Sequence, residues 1–296
     1  MTDLRTRGEK IFAVFNYVFM FIIAFVTLYP IWHILMASFS DPVYIIAHRG
    51  FIFWPMGTPN VRGYVLVFEN PNIMVGYMNT LFYVTVGTIL SMITTILGAF
   101  VLSRKGLYWN SKVMKMIIFT MFFHGGLMPF FIQVRNMGLL DNRWVVILPI
   151  MVVTMNLIIL RTAFASAPES LLESAKLDGC SDWRVCWQIV VPISKAAIAV
   201  IALFYAVNYW NQWFNPSIFL TDRSLWPIQL VLREILIEGD TTGMVSVGAV
   251  GQAGVERYRM LVRYTTIIVA TVPILFVYPF VQKYFVHGVM VGSLKE

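Results

Sequence analysis

Amides and flat rings crowd one short stretch of the chain: Asn208, Tyr209, Trp210, Asn211, Gln212, Trp213 and Asn215. Aromatic faces stack on the C–H faces of ring compounds, and amides satisfy hydroxyls, so this composition suits a polyhydroxylated ligand such as a sugar. On a continuous helix, residues 208, 211, 212 and 215 recur at spacings of three and four and share a face, with Tyr209 and Trp213 as an adjoining aromatic stripe. The plainer account is an interfacial belt in which Trp and Tyr anchor a helix end. Four amides among eight residues are more than anchoring needs, but both readings stay open.

A second stretch, residues 166–192, is charged and amphipathic. Ser166-Ala167-Pro168-Glu169 has the form of a capping box with Pro in the first turn, which predicts a helix start. Leu171, Leu172 and Ala175 give that helix an apolar face, and Gly179 can take the left-handed conformation that ends it. A second short helix follows, with Trp183, Cys186 and Trp187 on its apolar side, until Pro192 opens the next hydrophobic segment. Such a helix–glycine–helix unit cannot cross a bilayer. It lies on the membrane surface or against another protein.

Catalytic patterns are missing. His33, His48, His124 and His287 are scattered, and no HExxH, GxSxG or paired carboxylates within one hydrophobic segment occur. No GxxxxGK[ST] loop exists to cradle nucleotide phosphates; Gly248, Gly251 and Gly254 have the wrong spacing and no following Lys. Cys180 and Cys186 lack CxxC spacing and read as reduced, structural thiols.

Hydrophobic spans must position these stretches. Of 296 residues, 58% are hydrophobic and 12% charged, and the mean hydropathy is +0.73, whereas soluble domains carry about 25% charged residues. This predicts an all-α polytopic membrane protein with one transmembrane domain over 1–296. Six segments approach the ~20 apolar residues a crossing needs: about 11–39, 76–102, 113–134, 144–164, 193–213 and 264–285. Arg5, Arg7 and Lys10 precede a first run too long for a secretory signal, which reads as an uncleaved span. Pro30 should kink span one, and Gly125, Gly126 and Pro129 should disturb span three. His124, Gln133 and Asn156 are polar groups at membrane depth, either packed and hydrogen-bonded or facing the substrate path. Glu234, Glu238 and Asp240 read as solvated surface.

Lys and Arg in the short loops orient the chain. Arg104, Lys105, Lys112 and Lys115 form the densest short-loop group, and Arg161, Lys176, Arg184 and Lys195 flank the amphipathic loop. With both on the cytosolic side, the N- and C-termini are cytosolic too. Arg257, Arg259 and Arg263 count against this orientation. The +7 net charge thus reflects topology and not nucleic-acid affinity.

The loop resembles the EAA signature of ABC-importer permeases: E-A-A, three residues, G, nine residues, I-x-L-P. Glu173, Ala175, Gly179, Ile189 and Pro192 match in register, and Ser174 and Val191 are mild replacements. Tyr29-Pro30 through Ser40, Asn79-Thr80-Leu81 and Tyr284 through Lys295 are similar to the carbohydrate branch, which includes the smaller maltose permease subunit. Phe123-His124-Gly125-Gly126-Leu127-Met128-Pro129 resembles the subgroup importing complex or uronic-acid oligosaccharides, such as alginate and rhamnogalacturonan fragments.

The resemblance implies a six-helix type I ABC-importer permease bundle in a bacterial inner membrane. It implies pairing with a second, homologous permease, two ATPase subunits that bind ATP and Mg²⁺, and an extracellular solute-binding protein that delivers an oligosaccharide. The segment with Glu173, Ser174, Ala175, Asp178, Gly179, Ile189 and Pro192 would be the coupling helix docking on the ATPase. The candidate substrate path is Asn208, Tyr209, Asn211, Gln212, Trp213, Asn215, His124 and Asn156. A peptide or amino-acid permease of the same superfamily and a membrane-embedded enzyme are the rival readings.

Overall fold

A computed structural model describes residues 6–48, 50–106, 108–238 and 258–276. Among the described residues, three helices are long and apolar enough to cross a membrane: Arg7–Ser38, Pro71–Ser103 and Tyr258–Phe276. Three bent pairs also qualify if each is one span: Asn110–Phe122 with Leu127–Asn136 at 113°, Trp144–Ile150 with Thr154–Ala165 at 50°, and Asp182–Ile193 with Lys195–Phe219 at 88°. No strand occurs among the described residues. Three of the expected hydrophobic segments are thus single helices, and the other three are broken pairs.

The breaks have local causes. Span three stops at Phe122 and restarts at Leu127, with Gly126 at φ +83° between them. Only glycine takes that conformation at no steric cost, and Pro129 lies in the following first turn, where its missing N–H leaves no helical bond unmade. The disturbance expected in span three is therefore a complete change of direction. Pro30, in contrast, lies inside span one without ending the helix. The described part of span six begins at Tyr258, so Arg259 and Arg263 lie in the helix and not before it. Its predicted end, the C-terminal stretch 284–295, Gly248, Gly251, Gly254 and Asp240 lie outside the described residues.

The described residues gather into two units. The first takes residues up to Asn70 and the described part of Glu234–Pro273. Its span-one helix is capped by Thr6 and Glu9 in a reciprocal capping box and is buried only at Ala37 and Ser38. There Ser38 Oγ meets the Tyr64 hydroxyl at 2.7 Å, and Met56 N–H donates to Ser40 Oγ at 2.9 Å. Gly63 lets the short helix Arg62–Glu69 approach span six: a Cβ there would lie 2.5 Å from Thr265 Oγ1 and 2.9 Å from Leu261 Cγ.

The second unit, Pro71–Arg233 with the residues from Ile274, is organised around span two. Gly76, Thr80, Tyr83, Gly87, Ser91, Thr95 and Ala99 recur every three or four residues and are buried. Apolar contact gains nothing over lipid, so helices in a membrane associate through small residues that permit close approach and through polar groups that bond across. Both occur here. A Cβ on Gly87 would lie 2.6 Å from the Tyr209 ring, and one on Gly76 would lie 3.2 Å from the Ile228 backbone. The Tyr209 hydroxyl meets Ser91 Oγ at 2.9 Å and donates to the Ile147 carbonyl at 3.3 Å. The Tyr205 hydroxyl meets Thr95 Oγ1 at 2.7 Å and accepts from Val153 N–H at 3.0 Å. Span five is thereby clamped onto spans two and four.

Candidate functional site

The amphipathic loop is a helix, Glu169–Leu177, followed by a second helical run, Asp182–Ile193. The expected capping box does not form. Ser166 Oγ donates to Ala163 O at 2.7 Å, which completes the preceding helix. Pro168 is the N-cap residue, and no side chain caps the helix. Its C-terminus follows the sequence expectation. Gly179 has φ +75°, Cys180 N–H donates to Ala175 O at 3.0 Å, and Gly179 N–H donates to Lys176 O at 3.1 Å. These two bonds define a Schellman motif, which satisfies carbonyls the helix leaves open.

The helix presents two faces. Ala175 is buried and Leu172 packs on the core, whereas Glu173, Ser174 and Asp178 are exposed. Leu171, assigned from the sequence to the apolar face, is instead exposed. Leu177 is 88% and Trp183 62% exposed. Leu177, one helical turn after Glu173, puts a large apolar side chain on the same helix face, which suits a protein partner. In the second helical run, Ser181 caps the start, with Arg184 N–H donating to its Oγ at 3.5 Å, and residues Val185–Val190 form a π-type turn that buries Val185, Cys186 and Val190. Ile189 is half-buried and Pro192 exposed. Pro192 belongs to this run, and the 88° turn comes afterwards at Ser194, so span five starts at Lys195 and not at residue 193.

The loop candidates also meet the end of span two. Ser103, Arg104 and Lys105 form one wall of a cleft of about 180 Å³, and Glu169, Leu172, Glu173 and Lys176 form the other. Lys105 Nζ pairs with Glu169 Oε2 at 2.5 Å. The hydrogen bond and then the charge of Glu169 raise the Lys105 pKa, and Glu169 in the first helical turn is also favoured by the helix dipole. Arg104 stacks on Phe100, 4.0 Å from the ring centre. Burial lowers its pKa, opposed by the charges of Asp182 and Cys186. Burial raises the Cys186 thiol pKa, opposed by Arg104. Arg161 Nε and Asn110 Nδ2 both donate to the Leu102 carbonyl. Neighbouring residues at the end of span two thus pair with the first limb of the loop, through Lys105, and feel the charges of the second, through Arg104. Sequence reading used Arg104 and Lys105 only as orientation charges, and their partners, 64 residues away for Lys105, carry no local signal.

The aromatic–amide cluster divides. Tyr209 is fully buried, with its ring over Gly87 and its hydroxyl on Ser91, so its place on a substrate-facing stripe is corrected to a packing role. The helix ends at Trp210 and Asn211 caps it, with N–H bonds to Val207 O and Tyr209 O. A new helix, Phe214–Phe219, follows. Residues 208, 211, 212 and 215 therefore do not lie along one continuous helix. Gln212 Nε2 donates to Asn208 Oδ1 at 3.3 Å. Asn211 and Trp213 are exposed, and Asn215 is half-buried. Trp213 packs edge-on against Phe214 at 5.6 Å and lies under Arg233, 5.1 Å from the ring centre. His124 is exposed in the break of span three, Gln133 is exposed, and Asn156 is buried near the start of Thr154–Ala165.

No protein-family model matches the chain. A polygalacturonan/rhamnogalacturonan transport system permease protein of Bacillus subtilis is 38% identical over 292 residues, covering 97% of this chain and 99% of that one. Protein LplC of the same organism is 36% identical over 98% of this chain. The chain belongs to the carbohydrate ABC-transporter permeases. A diacetylchitobiose uptake system permease protein of Streptomyces coelicolor is a more distant relative at 24% identity. The structure of a bacterial ABC transporter involved in the import of the acidic polysaccharide alginate contains a chain that is 30% identical and superposes with a TM-score of 0.87, covering 96% of this permease and all of that chain. The permease is thus an all-α membrane protein and a transporter subunit. The rival peptide-permease and enzyme readings fall away.

Proposed function

We propose that this permease imports acidic, uronate-containing oligosaccharides, and that the segment Glu173–Gly179 is where a separate ATPase engages and drives it. The substrate class is carried by one observation: a full-length relative at 38% identity is named for polygalacturonan and rhamnogalacturonan. The alginate importer, at 30% identity, supports the same class. The coupling role rests on a rigidly terminated helix that exposes Glu173 and Leu177 while its other face is packed into the bundle.

In this reading a second permease completes the pathway, two ATPase subunits bind ATP and Mg²⁺, and a solute-binding protein delivers the oligosaccharide from outside. Closure of the ATPases moves the coupling helix, and the movement enters the bundle through span two and span five. Asn208, Asn211, Gln212, Trp213 and Asn215 would contact sugar, with His124 and Asn156 nearer the pathway's middle. Both termini lie in the cytosol of a bacterial cell. Impermeant labelling of intact cells should then spare Ser111→Cys and reach Asn142→Cys in a Cys180- and Cys186-free background; the opposite pattern inverts the topology.

Reconstitution with the partner permease, ATPases and binding protein tests the substrate. Trigalacturonate should stimulate ATP hydrolysis and enter proteoliposomes. Stimulation by a neutral oligosaccharide such as maltotriose, without any by the acidic one, would overturn the acidic assignment.

A further inference from the structure

Arg143 stands at the end of span two remote from the coupling loop. Asn79 and Ser103 are separated by 24 positions of one helix, roughly 36 Å along its axis. Arg143 is exposed, and its guanidinium has two partners. One of its terminal nitrogens donates to Asn79 Oδ1 at 3.1 Å, and its carbon lies 5.2 Å from the centre of the Phe82 ring. Both partners are neutral. Asn79 is itself fixed: it is buried, and its Nδ2 donates to the carbonyls of Ser224 at 2.7 Å and Trp226 at 3.1 Å. The Tyr83 hydroxyl holds the intervening Leu225 carbonyl at 2.7 Å.

The nearest acidic residue in sequence is already engaged. Asp141 accepts from the Thr221 hydroxyl and backbone N–H and from Asp222 N–H, and those bonds hold its carboxyl below the usual range. Asp222 caps Ser224 through both oxygens. Among the described residues, Arg143 therefore forms no ion pair, whereas Lys105 is paired with Glu169 and Arg104 faces Asp182. A guanidinium has five donors in a planar fork, and one bond to Asn79 leaves an edge for a carboxylate. Its rotamer is already held by the amide and the ring, so capturing an anion orders little that is mobile. Trp144, the next residue, is 42% exposed and offers a flat face beside it in the chain.

We infer that Arg143, positioned by Asn79 and Phe82, is a specificity-determining residue that reads the carboxylate of an acidic sugar as it enters the permease. The inference rests on the acidic-oligosaccharide reading above and adds to it the residue that distinguishes charge.

The experiment uses the complete importer in proteoliposomes, with trigalacturonate and its fully methyl-esterified form as probes. The ester removes the charge and keeps the rings. Because the same binding protein serves every variant, a change in the acid-to-ester import ratio belongs to the permease. Arg143→Gln should lower that ratio about tenfold, the effect of losing a charge-assisted pair, and leave import of the ester unchanged. Arg143→Lys should fall between, since it keeps the charge without the fork. An unchanged ratio in Arg143→Gln overturns the inference. Equal losses for acid and ester also overturn it, assigning Arg143 to binding-protein docking or to folding. A wild-type importer that takes up only the ester removes the acidic-substrate reading itself, and does so before any variant is compared.

Discussion

The amphipathic loop and the far end of span five both combine polar and aromatic residues, yet their side chains are governed by different rules. In the loop, position along the chain decides nearly everything. Gly179 ends the helix because its own backbone is left-handed, and Ala175, Lys176 and Cys180 close the turn within six residues. At the end of span five, position decides little. Tyr209 and Trp213 are four residues apart, and the first is sealed against Gly87 and Ser91 while the second lies exposed in a helix break. Only a contact 118 residues away in sequence separates their roles.

The largest expected effect breaks the comparison on the loop side. Glu173 is exposed and the loop is closed by its own backbone bonds, so Glu173→Lys should leave the permease folded and inserted. Reversing a charge at the docking surface should cut sugar-stimulated ATP hydrolysis by about tenfold or more, the scale of a lost charge-assisted contact. Wild-type stimulation and uptake in this variant would remove the coupling assignment, because a folded permease would then be indifferent to an exposed residue of the signature.

At the other end, two substitutions separate packing from substrate contact. Gly87→Val places methyl groups where the Tyr209 ring sits 2.6 Å from a first Cβ, and overpacking of this kind costs roughly 1–3 kcal/mol or more. It should lower the melting temperature of the purified permease and the yield of assembled complex. Trp213→Ala should do neither, yet should weaken sugar transport by about 1–3 kcal/mol if the indole stacks on a ring. Loss of stability in both variants, with normal transport by whatever Trp213→Ala complex survives, would make Trp213 an anchor like its neighbour.

Sequence reading reached the all-α class and the glycine-terminated loop helix because each has a local or periodic cause. It missed what depends on distant partners. Tyr209 looked like part of a polar cluster, but its hydroxyl completes Ser91 across the bundle, as the hydroxyl of Tyr205, which the sequence did not mark, completes Thr95. Arg104 and Lys105 looked like topology signals, yet Lys105 also pairs with the first limb of the loop and Arg104 interacts electrostatically with the second. The expected amide face failed for a different reason. It assumed one helix through Asn215, whereas Asn211 ends the helix and Phe214 begins another. The small residues on span two contain a usable signal: their spacing of three and four marks the face that must be approached closely.

The smallest predicted effect sharpens the claim that the loop is governed by its own backbone. A Cβ at position 179 would meet nothing within 4 Å, so packing does not explain a glycine there. Its φ of +75° does. Placing an L-residue in that region costs about 1–2 kcal/mol, and the loss of chain entropy in the unfolded state returns about 0.4–1 of it. Gly179→Ala should therefore cost about 1 kcal/mol locally, too little to unfold the permease and enough to fray the end of the coupling helix. Coupling efficiency, read as transport per ATP hydrolysed, should fall a few-fold. Asparagine tolerates the left-handed region better than alanine, so Gly179→Asn should recover part of the loss although it is the larger side chain. If alanine is tolerated and asparagine is not, size governs the position, and the contact that excludes a side chain there belongs to the docked ATPase and not to the backbone of the loop.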